Sequence, residues 1–150
     1  MTDWSKIGKA SRSKGARFER EVVRQINDAL GRFGVLVGRT QRGDKQTEGD
    51  IVVINGSPED WPYDSELKYR GGPPIALADI LGKKWWGWSL ICEPHRILII
   101  KTARKPAIVF LHDALMKRRY MLWEEFLERT TRRCAESCQS SNNEDSSLLP

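Results

Sequence analysis

Three residues in the stretch GDIVVINGSPEDWPYDSELKYR carry most of the chemistry this sequence offers. Asp50 stands ahead of an apolar run, DIVVI, and Glu66 and Lys68 lie two apart in DSELKY. If the two runs lie side by side as strands, Asp50 and Glu66 approach each other. Two carboxylates held close repel, so that one takes a proton or both bind a cation. An all-oxygen site suits Mg2+, with Mn2+ as a substitute. Lys68 falls on the Glu66 side of its strand by alternation. An ammonium there can orient a water or offset charge growing on phosphorus. Glu19, at the border of an upstream helix's apolar face, can supply a third carboxylate. Together these residues are equipment for hydrolysing a phosphodiester. The plainer reading of Glu66 and Lys68 is an ion pair on a solvated strand. Against it stand three unconnected features: Asp50 heading an otherwise apolar run, Glu19 beside a buried helix face, and a basic chain. The candidate catalytic residues are therefore Glu19, Asp50, Glu66 and Lys68, with Asp50, Glu66 and Glu19 as the candidate metal ligands.

The elements that must position them can be read from periodicity. Residues 1–14 form a basic, Ser- and Gly-containing arm. The first helix is expected over ARFEREVVRQINDAL, where Phe18, Val22, Ile26, Ala29 and Leu30 recur at helical spacing. Gly31 follows it as a helix stop. GVLVG reads as a short strand, RTQRGDKQTEG as a polar loop, and DIVVI as a strand covered on both faces. NGSPEDWP is a turn region leading to the strand DSELKY. A helix is expected with Ile75, Leu77, Ile80, Leu81, Trp85 and Trp88 along one stripe. HRILIIK and AIVFL read as strands, and MKRRYMLWEEFLERTTRR as a last helix. Residues 134–150, rich in Ser, Asn and acid, are expected to be disordered. The order of elements is that of an α/β fold with a mixed central sheet. Residues 15–133 make up its single domain.

Composition narrows the partner. The chain of 150 residues has a formal charge of +5, with 39% apolar and 30% charged residues. Residues 134–150 hold three acids and no Lys or Arg, so that 25 basic residues face 17 acidic ones in the remainder, a charge of +8. A basic body implies an anionic partner, most often nucleic acid. No apolar run approaches the ~18 residues of a membrane span. The first residues lack a signal-peptide core. A cytoplasmic location, no membrane and no small-molecule cofactor are the expectation. Cys92, Cys134 and Cys138 make no disulfide framework, and neither His95 nor His112 completes a zinc-finger spacing with them. Lys14, Arg17, Arg39, Arg42, Lys45 and Arg70 are the candidate phosphate contacts. In KKWWGW, Trp85 and Trp88 fall on the apolar stripe and read as packing, although aromatics beside lysines can also stack on bases.

These residues resemble the PD-(D/E)xK nuclease superfamily, and within it the small archaeal and phage Holliday junction resolvases. The opening Lys14-Gly15, the helix residues Glu19-Arg20-Glu21, Asp50 before an apolar strand, and the Glu66-x-Lys68 strand carry the likeness. It covers about a third of the chain, residues 14–68. The dipeptide here is Gly49-Asp50 rather than Pro-Asp, and the spacer to Glu66 is long, with Asp64 as a reserve ligand. The resemblance implies a restriction-endonuclease-like fold, a mixed sheet of about five strands flanked by helices. It implies a Mg2+-dependent endodeoxyribonuclease with Asp50, Glu66 and Lys68 in the motif positions. It further implies a homodimer that makes two symmetric nicks in four-way DNA junctions, in recombination and repair. The alternatives are a repair or restriction nuclease acting on other DNA, and a DNA-binding module that retains the fold without cleavage.

Overall fold

The computed structural model describes residues 4–40, 49–71, 95–112 and 118–144. The chain is mixed α/β. A long first helix, α1 (Trp4–Leu30), is followed by a 3-10 turn at Gly31–Phe33 and an antiparallel hairpin of β1 (Leu36–Arg39) and β2 (Ile51–Asn55). Then come β3 (Asp64–Arg70), β4 (Arg96–Thr102), β5 (Ile108–His112) and β6 (Arg118–Leu122), in that spatial order. The closing helix is α2 (Trp123–Glu144). In the four-stranded sheet β3 and β4 run parallel, and the β4–β5 and β5–β6 pairs are antiparallel.

The core forms where α1 lies between the hairpin and the sheet. Phe18, Val22, Ile26 and Leu30 make the buried stripe of α1, as their spacing of three to four residues requires. They meet Val35, Val37 and Ile51 from the hairpin side and Leu67, Ile97, Ile99 and Val109 from the sheet. Fully burying an aliphatic side chain of this size contributes roughly 1.5–3 kcal/mol. A specific polar clamp fixes the hairpin to the helix. The Asn27 side-chain amide donates to the Val37 carbonyl at 3.1 Å, and its oxygen accepts the Val37 N–H at 2.8 Å. One asparagine thus stands where a further strand would otherwise satisfy β1. The second helix is held to the first by Trp123, whose indole N–H donates to Gln25 at 2.6 Å.

Several expectations are revised. Among the described residues the strands form two sheets, one of two strands and one of four, and the expected single sheet of about five strands is not shown. RRYML, expected within the start of the last helix, is strand β6. Tyr120 and Trp123 do fit helical spacing, but Arg118–Leu122 complete a ladder with β5 instead, and the backbone pairing of a growing sheet overrides a local helical pattern. The residues read as a basic arm are helical from Trp4 onward. At the other end α2 continues through residues expected to be disordered, to Glu144. Cys134 gives the reason. It is buried against the segment before β3, with its thiol 3.7 Å from the Asp60 carbonyl, so the packed face of the helix reaches residue 134, and residues 136–140 continue it exposed. The helix expected across 75–88, with Trp85, Trp86 and Trp88, lies outside the described residues.

Candidate active site

The strand β3 enters the core beneath β2, and the contact between them is built on Gly49-Asp50. Gly49 has φ +99°, and a Cβ there would stand 2.9 Å from Ser65 N and 3.0 Å from Ser65 O. Only glycine allows both the dihedral and the approach, and a proline could adopt neither. The Asp50 N–H donates to the Ser65 carbonyl at 2.6 Å, and the Asp50 carbonyl accepts the Thr40 N–H at 3.1 Å. Thr40, the first residue after β1, keeps its own hydroxyl buried without a partner among the described residues.

The Asp50 side chain then reaches into β3. Its Oδ2 accepts the backbone N–H of Leu67 at 2.7 Å. Leu67 is the residue between Glu66 and Lys68, and it faces the α1 core, so its two neighbours project to the opposite face. Glu66 and Lys68 are ion-paired with each other there. Glu19, from α1, is ion-paired with Arg39 at the end of β1, with the Arg39 Nε donating to Oε2 at 2.8 Å. Asp50 thus meets β3 between Glu66 and Lys68, while Glu19 is near enough to act on Asp50 through its charge.

Their mutual influence shows in Asp50. Partial burial pushes its carboxyl above the usual carboxylate range. The Leu67 N–H opposes that rise; the charges of Glu66 and then Glu19 add to it, and Lys68 opposes it more weakly. Asp50 is therefore a carboxylate pushed toward protonation by burial first and by its two acidic neighbours second, a condition that a cation would relieve. The donor set is all oxygen and fits a hard divalent cation. Asp50 and Glu66 would hold it, with Glu19 able to join on releasing Arg39. Among the described residues no three acidic, His or Cys side chains converge as a ready ligand cluster; Glu19 is paired with Arg39 and Glu66 with Lys68. Asp64, the reserve ligand, is taken up elsewhere, 3.1 Å from His95 Nε2.

The expected phosphate contacts separate. Arg39 sits at the site on Glu19. Arg70 is at the exposed end of β3. Lys14 and Arg17 line a cavity beside α1, together with Lys101 and Tyr69. Arg42 and Lys45 lie outside the described residues. Lys101 was missed by sequence reasoning, since it ends the buried strand β4 and stands beside Tyr69 only through the parallel register of β3 and β4. Gly49 and Asn27 were missed as well. Gly49 was read only as a departure from Pro-Asp, and nothing local to Asn27 distinguishes it from a surface amide.

The spacer between Asp50 and Glu66 is anchored at its far end. Trp61 packs edge-on against Tyr63, Trp123 and Phe126, with ring centroids 5.2, 6.4 and 6.2 Å away. Arg133 of α2 donates to the Tyr63 hydroxyl at 3.0 Å and covers its ring. The aromatic knot anchors the end of the long turn that leads into β3. No helix among the described residues is long and apolar enough to cross a membrane. No protein-family model, curated protein or solved structure matches the chain.

Proposed function

We propose that this chain is a metal-dependent DNA endonuclease of the PD-(D/E)xK type that resolves four-way junctions by paired nicks. One observation carries the reading. The Asp50 carboxylate accepts the N–H of the residue lying between Glu66 and Lys68, so that both acids and the lysine radiate from a single point of β3. A chance Glu-x-Lys pair on a solvated strand needs no second, half-buried acid pinned to the backbone between its members.

On this reading each side chain has a task. Asp50 and Glu66 hold Mg2+, or Mn2+ in its place. A divalent cation so placed supplies a more acidic water and stabilises charge on the scissile phosphate. Asp50 is positioned by Leu67, so its remaining oxygen is presented without a rotamer search. Lys68 gives up Glu66 and directs its ammonium to the attacking water or to the phosphate oxygens. Glu19 and Arg39 separate in the same way, the acid toward the metal shell and the guanidinium toward the DNA backbone. Hydrolysis leaves a 5′-phosphate and a 3′-hydroxyl. Two symmetric nicks need two such sites related by a two-fold axis, hence a homodimer.

The test is cleavage of labelled four-way junction, linear duplex, flap and single-stranded DNA, with and without Mg2+. It is repeated with Glu66→Ala and Lys68→Ala, with the molar mass followed by light scattering. Metal-dependent paired nicks in the junction alone, by a dimer, are expected, with both variants inactive but still bound to DNA. Equal cutting of duplex would remove the junction assignment, and no cutting of any substrate would remove the nuclease.

A further inference from the structure

A second basic site lies on the other side of β3. Between the first half of α1 and the ends of β3 and β4 is a cavity of about 480 Å³ lined by Lys14, Arg17, Phe18, Glu21, Tyr69 and Lys101. Its size falls in the roughly 300–1,000 Å³ range of ligand pockets. Three cations face one acid, and that acid is occupied: Glu21 accepts from Arg24 at 2.9 Å and from Gln25 at 2.8 Å. Among the described residues Lys14, Arg17 and Lys101 form no ion pair, while Arg24, Arg39, Arg129 and Arg132 all do. The Lys14 ammonium lies over the end of β3, 3.7 Å from where a Cβ on Gly71 would stand. Lys101 is the register partner of Tyr69. The Tyr69 ring is backed by Phe18, with centroids 6.3 Å apart, and it packs against the core while remaining partly open. A supported aromatic ring with three uncommitted cations around it is what a nucleotide needs: a stacking surface for the base and positive charge for the phosphate.

We propose that this cavity is a nucleotide subsite, taking one phosphate of a single-stranded DNA segment among Lys14, Arg17 and Lys101 and its base against Tyr69. It is distinct from the hydrolytic site, because Tyr69 faces α1 whereas Glu66 and Lys68 face away from it. The identity of the ligand rests on the nucleic-acid part of the proposed function; the subsite itself does not require cleavage. Strands unpaired at a branch point are the DNA segments whose bases are free to enter such a cavity. The two sites meet at the end of β3, where Lys68 and Tyr69 are consecutive.

The test is binding of a fluorescently labelled oligothymidylate to the full chain without metal, where no cleavage occurs, by anisotropy across a salt series. Lys101→Ala is expected to weaken binding about tenfold and to lower the slope of log affinity against log salt by about 0.7, the value of one single-strand phosphate contact. Lys101→Arg restores both. Tyr69→Leu is expected to weaken binding by roughly tenfold, about 1.4 kcal/mol, within the range of one stacked base, and to leave the slope unchanged. Thymidine monophosphate displaces the oligonucleotide at lower concentration than inorganic phosphate. Unchanged affinity and slope in Lys101→Ala would overturn the subsite. So would inorganic phosphate competing as well as the mononucleotide, which would mean a bare anion site with no place for a base. A chain that binds in this way but cuts nothing with Mg2+ would overturn the nuclease and leave the subsite standing.

Discussion

Asp50 has two jobs that can be pulled apart by substitution. It is the acceptor for the Leu67 N–H, and it carries a charge that burial, Glu66 and Glu19 all disfavour. Asp50→Ala removes both. The Leu67 N–H, from a buried residue of β3, loses its acceptor, at a cost of roughly 1–3 kcal/mol. In a chain of this size that lowers the melting temperature by about 2–12 °C. Asp50→Asn keeps an acceptor oxygen for Leu67 and removes only the charge, so its melting temperature at neutral pH is expected to equal or exceed that of the wild type. The sign follows from the raised pKa. A carboxyl that is harder to ionise in the folded chain than in the unfolded one costs stability above its folded pKa. That cost disappears as the pH falls below the unfolded value. The advantage of Asp50→Asn should therefore be full at neutral pH and shrink toward zero in acid. Mg2+ reverses the order, since a bound cation favours the ionised form: at about a hundredfold excess over its Kd it would add about 2.7 kcal/mol to the wild type and far less to Asp50→Asn. Thermal unfolding followed by circular dichroism, over a pH series with and without Mg2+, reads all three effects. If Asp50→Asn proves as unstable as Asp50→Ala, the Leu67 hydrogen bond is not what Asp50 contributes to folding. If the wild type and Asp50→Asn give parallel pH curves, its charge is not disfavoured in the folded chain.

Three other substitutions probe the frame. Gly49→Ala forces a Cβ onto the Ser65 backbone and a strained φ, which should cost roughly 1–3 kcal/mol and reduce cleavage, while DNA binding, measured by gel shift, survives. Asn27→Leu leaves the Val37 N–H and carbonyl without partners, for a loss of about 1–3 kcal/mol; hydrogen exchange at the Val37 amide should accelerate more than at Ile99 in the sheet. Trp61→Ala empties the aromatic knot below the spacer and is expected to cost about 3–5 kcal/mol in denaturant unfolding, with weakened cleavage in whatever fraction stays folded.

The candidate site is read from chemical rather than periodic evidence. Glu19, Asp50, Glu66 and Lys68 are picked out by residue type and by what stands beside them; in the structure Asp50 reaches the β3 backbone at Leu67, between Glu66 and Lys68, while Glu19 pairs with Arg39. Their joining was not legible. The turn of residues 56–63 separates β2 from β3, and what fixes the register is Trp61 and Tyr63 packing on Trp123, Phe126 and Arg133, a contact spanning about half the chain. The same nonlocality hid β6. Tyr120 and Trp123 keep helical spacing, but β5 offers Arg118–Leu122 a ladder that no local window contains. The division into two sheets was also invisible, because β2 meets β3 through Asp50 rather than through a regular ladder. Sequence alternation distinguishes a strand from a helix, but it carries no information about where a sheet stops.

The charges of the site bear on the pairing of Glu19 with Arg39 and of Glu66 with Lys68. Fully ionised, Glu19, Asp50 and Glu66 against Arg39 and Lys68 leave one net negative charge, and Asp50, whose pKa burial already raises, is raised further by Glu66 and Glu19. A divalent cation turns that charge to one net positive, which the single charge of a phosphodiester cancels. On the nuclease reading, metal and DNA each complete the other's site. A bound metal would compete with Arg39 for Glu19 and with Lys68 for Glu66, and the DNA backbone would take up the cations so released. Coupling of this kind must be reciprocal, so metal should tighten DNA binding by the same factor that DNA tightens metal binding. The ion pairs Glu19–Arg39 and Glu66–Lys68 are then the resting half of one exchange, in which every charge keeps a partner and hydrolytic geometry is assembled only when both ligands are present.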